Sequence, residues 1–313
     1  MRRILLPLLL GIVATGRSPA AAQQAALDLR PGERLVFIGN TFAERLQIFP
    51  HFEALLTSMR PELRLSFRYL AWSGDEVGLR PRPLNFGDIH THLKNQRADV
   101  IFAAFGMNES YRGEAGLPEF RARLGVFLDT LRTERYNGRT PARVVLISPI
   151  PHEQVDHVPL DPAQHNRDLE RYTEVMREVA AERGVYFVDL YHPLLPLVRD
   201  PQLGDLTING IHLDDRGYQV AGRAIARELG LLPATADLLE PPTPEQLRLA
   251  EAIRDKNQLF FYRWRPVNAE YIVGRRKEPF GVVNFPGEMA RLDEMVAEAE
   301  REIWDLAAGP ADR

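Results

Sequence analysis

Five short apolar runs punctuate the chain, each followed by a stretch in which apolar residues recur at helical spacing. The runs are Leu35–Ile38, Leu63–Leu70, Val100–Phe105, Val144–Ile147 and Val185–Leu190. They are mostly continuous rather than alternating, which suits strands covered on both faces. The intervening spacing predicts helices near 42–59, 87–96, 117–135, 163–183 and 214–229. Strands alternating with helices imply parallel pairing through right-handed crossovers. The expected fold is a three-layer α/β/α sandwich with a five-stranded parallel sheet, spanning residues 32–232.

Beyond this the pattern changes. Residues 233–244 are proline-rich, ending in Pro241-Pro242-Thr243-Pro244, and read as a linker. Thr243 with Glu245 nearby offers a helix start, so 245–313 is expected to be a helical extension, with helices near 245–256 and 288–306. Between them runs a polar-aromatic stretch, Phe260 to Tyr271. Its Arg263, Trp264, Arg265, Asn268 and Tyr271 suit sugar stacking or a protein contact. The plainer role is that Phe261 and Trp264 dock the extension onto the main domain.

The amino terminus does not belong to this pattern. Arg2 and Arg3, the apolar run Ile4–Ala14 and Ala20-Ala21-Ala22 have the form of a cleavable secretory signal over residues 1–22. The run is too short to span a bilayer, so periplasmic or secreted protein with no membrane span after cleavage is expected. Removing it takes three arginines from the 39 basic residues and none from the 43 acidic ones, leaving a net charge of about −7. That balance argues against nucleic acid or an anionic membrane as the main partner. There is no cysteine among the 313 residues, so disulfides, thiolate metal sites and cysteine nucleophiles are excluded.

Polar residues gather where strands end. Gly39-Asn40-Thr41 follows the first run, Trp72-Ser73-Gly74-Asp75-Glu76 the second, and Gly106-Met107-Asn108-Glu109-Ser110 the third; Asn209-Gly210-Ile211-His212 precedes the last helix of the domain. Loops at that edge of a parallel sheet converge, and sites form there.

In order and spacing, Gly39-Asn40-Thr41, Gly74, Gly106-x-Asn108 and Asn209-x-x-His212 resemble the four blocks of the SGNH, or GDSL-type, hydrolases, a family of esterases and lipases. The resemblance covers about 32–230 and implies a flavodoxin-like sandwich. It also implies acyl transfer without a cofactor: Thr41 as nucleophile, His212 as base, Asn209 as its orienting partner, and an oxyanion hole from Thr41 N–H, Gly74 and Asn108. The substrate class it implies is a small-molecule or carbohydrate ester, acetyl esters included. Two positions depart from the pattern. Thr41 stands where the family has serine, and its methyl group restricts the rotamers and crowds the carbonyl. Asn209 stands where the family has aspartate, and supplies no charge for the imidazolium; Asp205, Asp214 and Asp215 are close enough in sequence to substitute. Both departures also fit a different class of protein, a non-catalytic one that keeps the cleft to bind a glycan or an envelope partner.

Each residue has a plainer role beside the catalytic one. Thr41 could simply cap a helix, Gly74 and Asn108 could serve turns, and His212 could be a hydrogen-bonded core histidine. Ser73 is an alternative nucleophile without an evident base. Glu44 and Glu109 are alternative bases, although solvated helix-face carboxylates are commoner. Asp88-x-His90-x-His92 has metal-ligand spacing only if extended; read as helix, it splays the histidines apart. Arg80 and Arg82, in the loop Arg80–Gly87, could take an anionic group or remain solvated.

Overall fold

The computed structural model describes residues 24–266 and 284–309. The proposed signal segment, together with Asn268 and Tyr271, lies outside the described residues. Five strands, β1 (Arg34–Gly39), β2 (Ser66–Tyr69), β3 (Val100–Ala104), β4 (Arg143–Ile147) and β5 (Tyr186–Val188), form one sheet in the order β2-β1-β3-β4-β5. Every neighbouring pair is parallel, with Val36 opposite Arg68 on one side and Ile101 on the other.

Strand geometry sends alternate side chains to opposite faces. Leu35 and Phe37 therefore enter one core, with Phe67, Tyr69, Phe102 and Val145, while Val36 and Ile38 enter the other, with Ile101, Ala103, Val144 and Leu146. Phe37 is the hub of the first core, its ring 4.5 Å from that of Phe102 and 5.1 Å from that of Tyr69. Burying each such side chain contributes about 1.5–3 kcal/mol, so the strands are held by what covers them. On the first face lie α1 (Thr41–Arg45), α2 (His51–Met59) and α7 (Asp215–Glu228); on the second lie α3 (Ile89–Asn95), α4 (Leu117–Thr133) and α5 (Ala163–Arg183).

The helices expected near 87–96, 117–135, 163–183 and 214–229 are present with small shifts at their ends. That expected over 42–59 is two helices, because Pro50 has no N–H to extend the first and disfavours helical backbone at Phe49. A further helix, α6 (Tyr191–Val198), is hidden in the sequence by two prolines. Pro193 falls in its first turn, where the amide has no intrahelical partner in any case.

The carboxy-terminal residues form α8 (Pro244–Trp264) and α9 (Asn284–Ala308), packed against each other and on α2. The start of α8 is a capping box closed by Gln246 rather than by Glu245. It runs eight residues past the expected end. Phe260 and Trp264 are four apart, share one face and bury into the second core. Trp264 meets Trp72, Phe86 and His92 edge-on, so docking is one role this aromatic stretch has. Beneath the helices, Lys256 is 0% exposed and donates to Glu53 (2.7 Å), which also accepts from the Tyr69 hydroxyl (3.1 Å). Beside it, Arg68 makes a two-pronged pair with Glu300 of α9, at 2.6 and 3.1 Å.

Candidate active site

The strand order reverses between β1 and β3, and the crevice outside the carboxyl ends of the strands at that point is where such sheets bind ligands. Thr41 follows β1 and Asn108 follows β3. The chain turns sharply to make this possible. Gly39 has φ +117°, and a Cβ there would overlap the Ala104 carbonyl of the neighbouring strand. Asn40 then donates its N–H to that same carbonyl (3.1 Å), while its side-chain oxygen accepts from Phe42 N–H (3.1 Å). Asn40 is thus the cap of α1 and Thr41 its first helical residue, which overturns the capping role for Thr41. Thr41 is half-buried, and its N–H, in the first turn, has no intrahelical acceptor.

His212 sits in the loop before α7. A buried carboxylate that the sequence did not point to shapes that loop: Glu153, just after β4, accepts from Leu206 N–H (3.0 Å), Thr207 N–H (2.7 Å) and the Thr207 hydroxyl (2.6 Å). Gly210 returns the tie, its carbonyl accepting from Glu153 N–H (2.8 Å). The position of Glu153 in Ser148–Glu153, immediately beyond a strand end, is the signal that could have found it.

Thr41, Asn108 and His212 line one cleft, together with Phe42, Met107, Ser148 and Ile211. Three loops distant in sequence therefore share one concavity. The His212 ring hydrogen-bonds Asn209 and, among the described residues, not Thr41; catalytic hydrogen bonds are commonly long before substrate binds. Asn209 Oδ1 accepts from His212 N–H (3.1 Å) and lies 3.1 Å from the ring Nδ1. None of the three substitute acids reaches the ring. Asp214 caps α7 through Gly217 N–H, Asp215 pairs with His51 (2.8 Å), and Asp205 makes no hydrogen bond to His212. Burial, and then the nearby Arg45 guanidinium, lowers the His212 pKa below its ordinary 6.5.

Asn108 donates one amide hydrogen to the Asp75 carbonyl (3.1 Å), and an asparagine has a second to offer. Gly74 has φ +82° in an exposed turn and is not among the residues lining the cleft. Ser73 is held by Glu44, whose carboxylate accepts both its N–H (2.8 Å) and its hydroxyl. Neither candidate base is a solvated helix-face carboxylate. Glu109 is buried and accepts from Val77 N–H (2.8 Å) and Gly106 N–H (2.9 Å), clamping the second loop to the third; burial raises its pKa.

Asp88 caps α3 through Thr91 N–H (2.8 Å), His90 meets the Tyr136 hydroxyl (2.6 Å) and His92 the Phe86 carbonyl (2.9 Å), so the triplet diverges as its helical reading requires. Nor are the two loop arginines solvated. Arg82 grips Asp75 with two nitrogens, at 2.7 and 2.5 Å, and Arg80 binds the Glu76 carbonyl (3.1 Å) and covers the Phe127 ring. A relay the sequence did not suggest joins Ser110 to His165 (2.8 Å) and His165 to His152 (2.9 Å). Burial, then the neighbouring His152, lowers the His165 pKa to about 4.

A parallel α/β sandwich with a hydroxyl, an amide and an imidazole around its switch-point cleft has the layout of a hydrolase. The chain belongs to the GDSL-like Lipase/Acylhydrolase family, whose model matches residues 46–220. The match takes in Gly74, Asn108, Asn209 and His212 and begins five residues beyond Thr41. No curated protein matches the sequence significantly. Among solved structures, the chain is similar to BT4096, a gut microbial diltiazem-metabolizing enzyme, with a TM-score of 0.62 and 12% identity over 91% of this chain and 97% of that one. It is also similar to Axe2, an acetylxylan esterase from Geobacillus stearothermophilus, with a TM-score of 0.51 and 18% identity over 69% of this chain and all of the other. At these identities the likeness is one of fold. No described helix is long and apolar enough to cross a membrane.

Proposed function

We propose that this protein is an exported carboxylic ester hydrolase that acts through Thr41 and His212. The observation that carries the reading is the cleft shared by Thr41, Asn108 and His212, with Asn209 behind the imidazole. In the first step Thr41 Oγ1 attacks the ester carbonyl carbon while His212 Nε2 takes the hydroxyl proton. In this reading the oxyanion is held by Thr41 N–H, by the second amide hydrogen of Asn108 and by Gly74 N–H, the third donor that the family resemblance implies. The bond to the alcohol oxygen breaks, and His212 returns the proton to that oxygen. Water, deprotonated by His212, then attacks the threonyl ester; the bond between the acyl carbon and Thr41 Oγ1 breaks, His212 returns the proton to Oγ1, and the acid leaves. Acetylated carbohydrates are the proposed substrate class, supported by the fold shared with an acetylxylan esterase. Export is supported by the leader pattern of Arg2, Arg3 and the apolar run to Ala14.

The test is hydrolysis of p-nitrophenyl acetate by the mature protein and by Thr41→Ala and His212→Ala. Loss of turnover in both variants is the expected result. Turnover unchanged in both removes these residues from the mechanism. A second reading, a glycan-binding protein, is favoured by Thr41 and Asn209 themselves; saturable glycan binding by a wild type without turnover would establish it instead.

A further inference from the structure

Glu44 stands one helical turn beyond Thr41, on the same short helix. Its carboxylate faces away from solvent and has three partners from two distant segments. It accepts from the N–H (2.8 Å) and the hydroxyl of Ser73, and it pairs with the guanidinium of Arg265 at the carboxy-terminal end of α8. Arg265 in turn lies over the Trp72 ring, 3.4 Å from its centre, while Arg82 covers the same ring at 4.5 Å. The turn Ser73-Gly74-Asp75 is therefore gripped at both ends. Glu44 holds Ser73 from the helix of Thr41, and Asn108 holds the Asp75 carbonyl from the loop after β3 (3.1 Å). Gly74, with no side chain and a positive φ, makes no hydrogen bond of its own to the described residues.

We propose that Glu44 is a positioning residue for the oxyanion donor Gly74, and that Arg265 of the carboxy-terminal extension completes the site by holding Glu44 in place. This role rests on the esterase reading above. A charged hydrogen bond to a backbone N–H is stronger than a neutral one, and a carboxylate tied to a stacked guanidinium loses little further freedom on gripping Ser73. Glu44 thus fixes the distance between the residue that attacks the carbonyl and the turn that steadies the resulting charge. That distance matters most in the transition state, so its loss falls on kcat rather than on KM. The extension then acts on catalysis as well as on stability, although none of its described residues lines the cleft.

The experiment compares full-length mature Glu44→Ala, Arg265→Met and Arg265→Lys with wild type and Thr41→Ala, using p-nitrophenyl acetate kinetics and the ¹H–¹⁵N resonances of Ser73 and Gly74. Expected is a fall in kcat of about 10- to 100-fold in Glu44→Ala with KM within about twofold, and displaced Ser73 and Gly74 amides. Arg265→Met should shift both readouts the same way and less far, and Arg265→Lys, which keeps the charge on Glu44, should recover most of the loss. Should Glu44→Ala fail to fold, the two Arg265 variants decide the matter by the same readouts. Unchanged kcat and unmoved amides in Glu44→Ala, with turnover abolished in Thr41→Ala, would overturn the positioning role and leave the esterase reading standing. If the wild type turns over no ester, the esterase reading fails, and the oxyanion role of Gly74 fails with it. A Gly74 amide left unmoved in Glu44→Ala overturns the positioning role in either case.

Discussion

Asn209 holds one oxygen 3.1 Å from two nitrogens of His212, the backbone amide and the ring Nδ1. Its Nδ2 stands 3.0 Å from the same ring nitrogen. The backbone bond fixes which way the amide faces, but the ring is left with two tautomers. With the proton on Nδ1, it donates to Asn209 Oδ1 and leaves Nε2 bare to act as a base. With the proton on Nε2, Nδ1 accepts from the Asn209 amide and the base is lost.

An aspartate offers only acceptors, so it selects the first tautomer and adds a charge that stabilises the imidazolium. Asn209→Asp is therefore expected to raise kcat/KM for p-nitrophenyl acetate by about 10-fold or more; in a serine-protease triad the reverse change costs about 10⁴ in rate. A flat response would mean that the asparagine already enforces the productive tautomer.

Thr41→Ser removes one methyl group from a half-buried hydroxyl at the first position of α1. It frees a rotamer and opens the approach to the carbonyl. The expected outcome is a rise in kcat of about 3- to 10-fold, with an acyl-enzyme detectable by intact-mass measurement. A lower rate would show a cleft shaped around threonine.

The His212 pKa lies below 6.5 because burial disfavours the imidazolium, with Arg45 adding like-charge repulsion. The base works neutral, so kcat/KM should rise as pH rises through an acid limb centred below 6.5. Arg45→Gln removes the repulsion and should move that limb upward, toward 6.5. A limb that stays in place would assign the titration to another group.

Lys256 and Glu53 are each other's counter-charge in a site that excludes water, and burial already raises the Glu53 pKa. Lys256→Met strands the carboxylate and is expected to cost about 3–5 kcal/mol in urea unfolding. The double variant Lys256→Met/Glu53→Gln should recover much of that, since losing both charges removes the desolvation cost as well. A single variant as stable as wild type would show that the pair is not needed to seat α8.

The main lines of the fold were legible because they are written in short-range pattern. Leu35-Val36-Phe37-Ile38 is apolar at every position, so it had to be covered on both faces, and the two cores divide it by alternation. The turn at Gly39 was legible for a similar reason, since a strand running into glycine and small polar residues has few continuations. The site was legible in part. Thr41 and Asn108 announce themselves by lying past strand ends and His212 by standing just before the last helix of the domain, and the three do share a cleft. Gly74 also lies past a strand end, yet the turn that carries it stands outside that cleft's lining.

Hydrophobic period, proline and glycine punctuation and the order of the polar blocks are properties of a few neighbouring residues, and the sequence alone determined them. The charged residues were decided only in three dimensions. Glu109 turns inward to gather two backbone amides, Glu44 reaches Ser73 29 positions away and Arg265 221 away, and Lys256 finds Glu53 across 203. A carboxylate's local sequence says that it prefers water. Whether it instead finds enough donors to leave water depends on which crossovers bring distant segments alongside it, and that is settled only when the sheet and its helices have assembled.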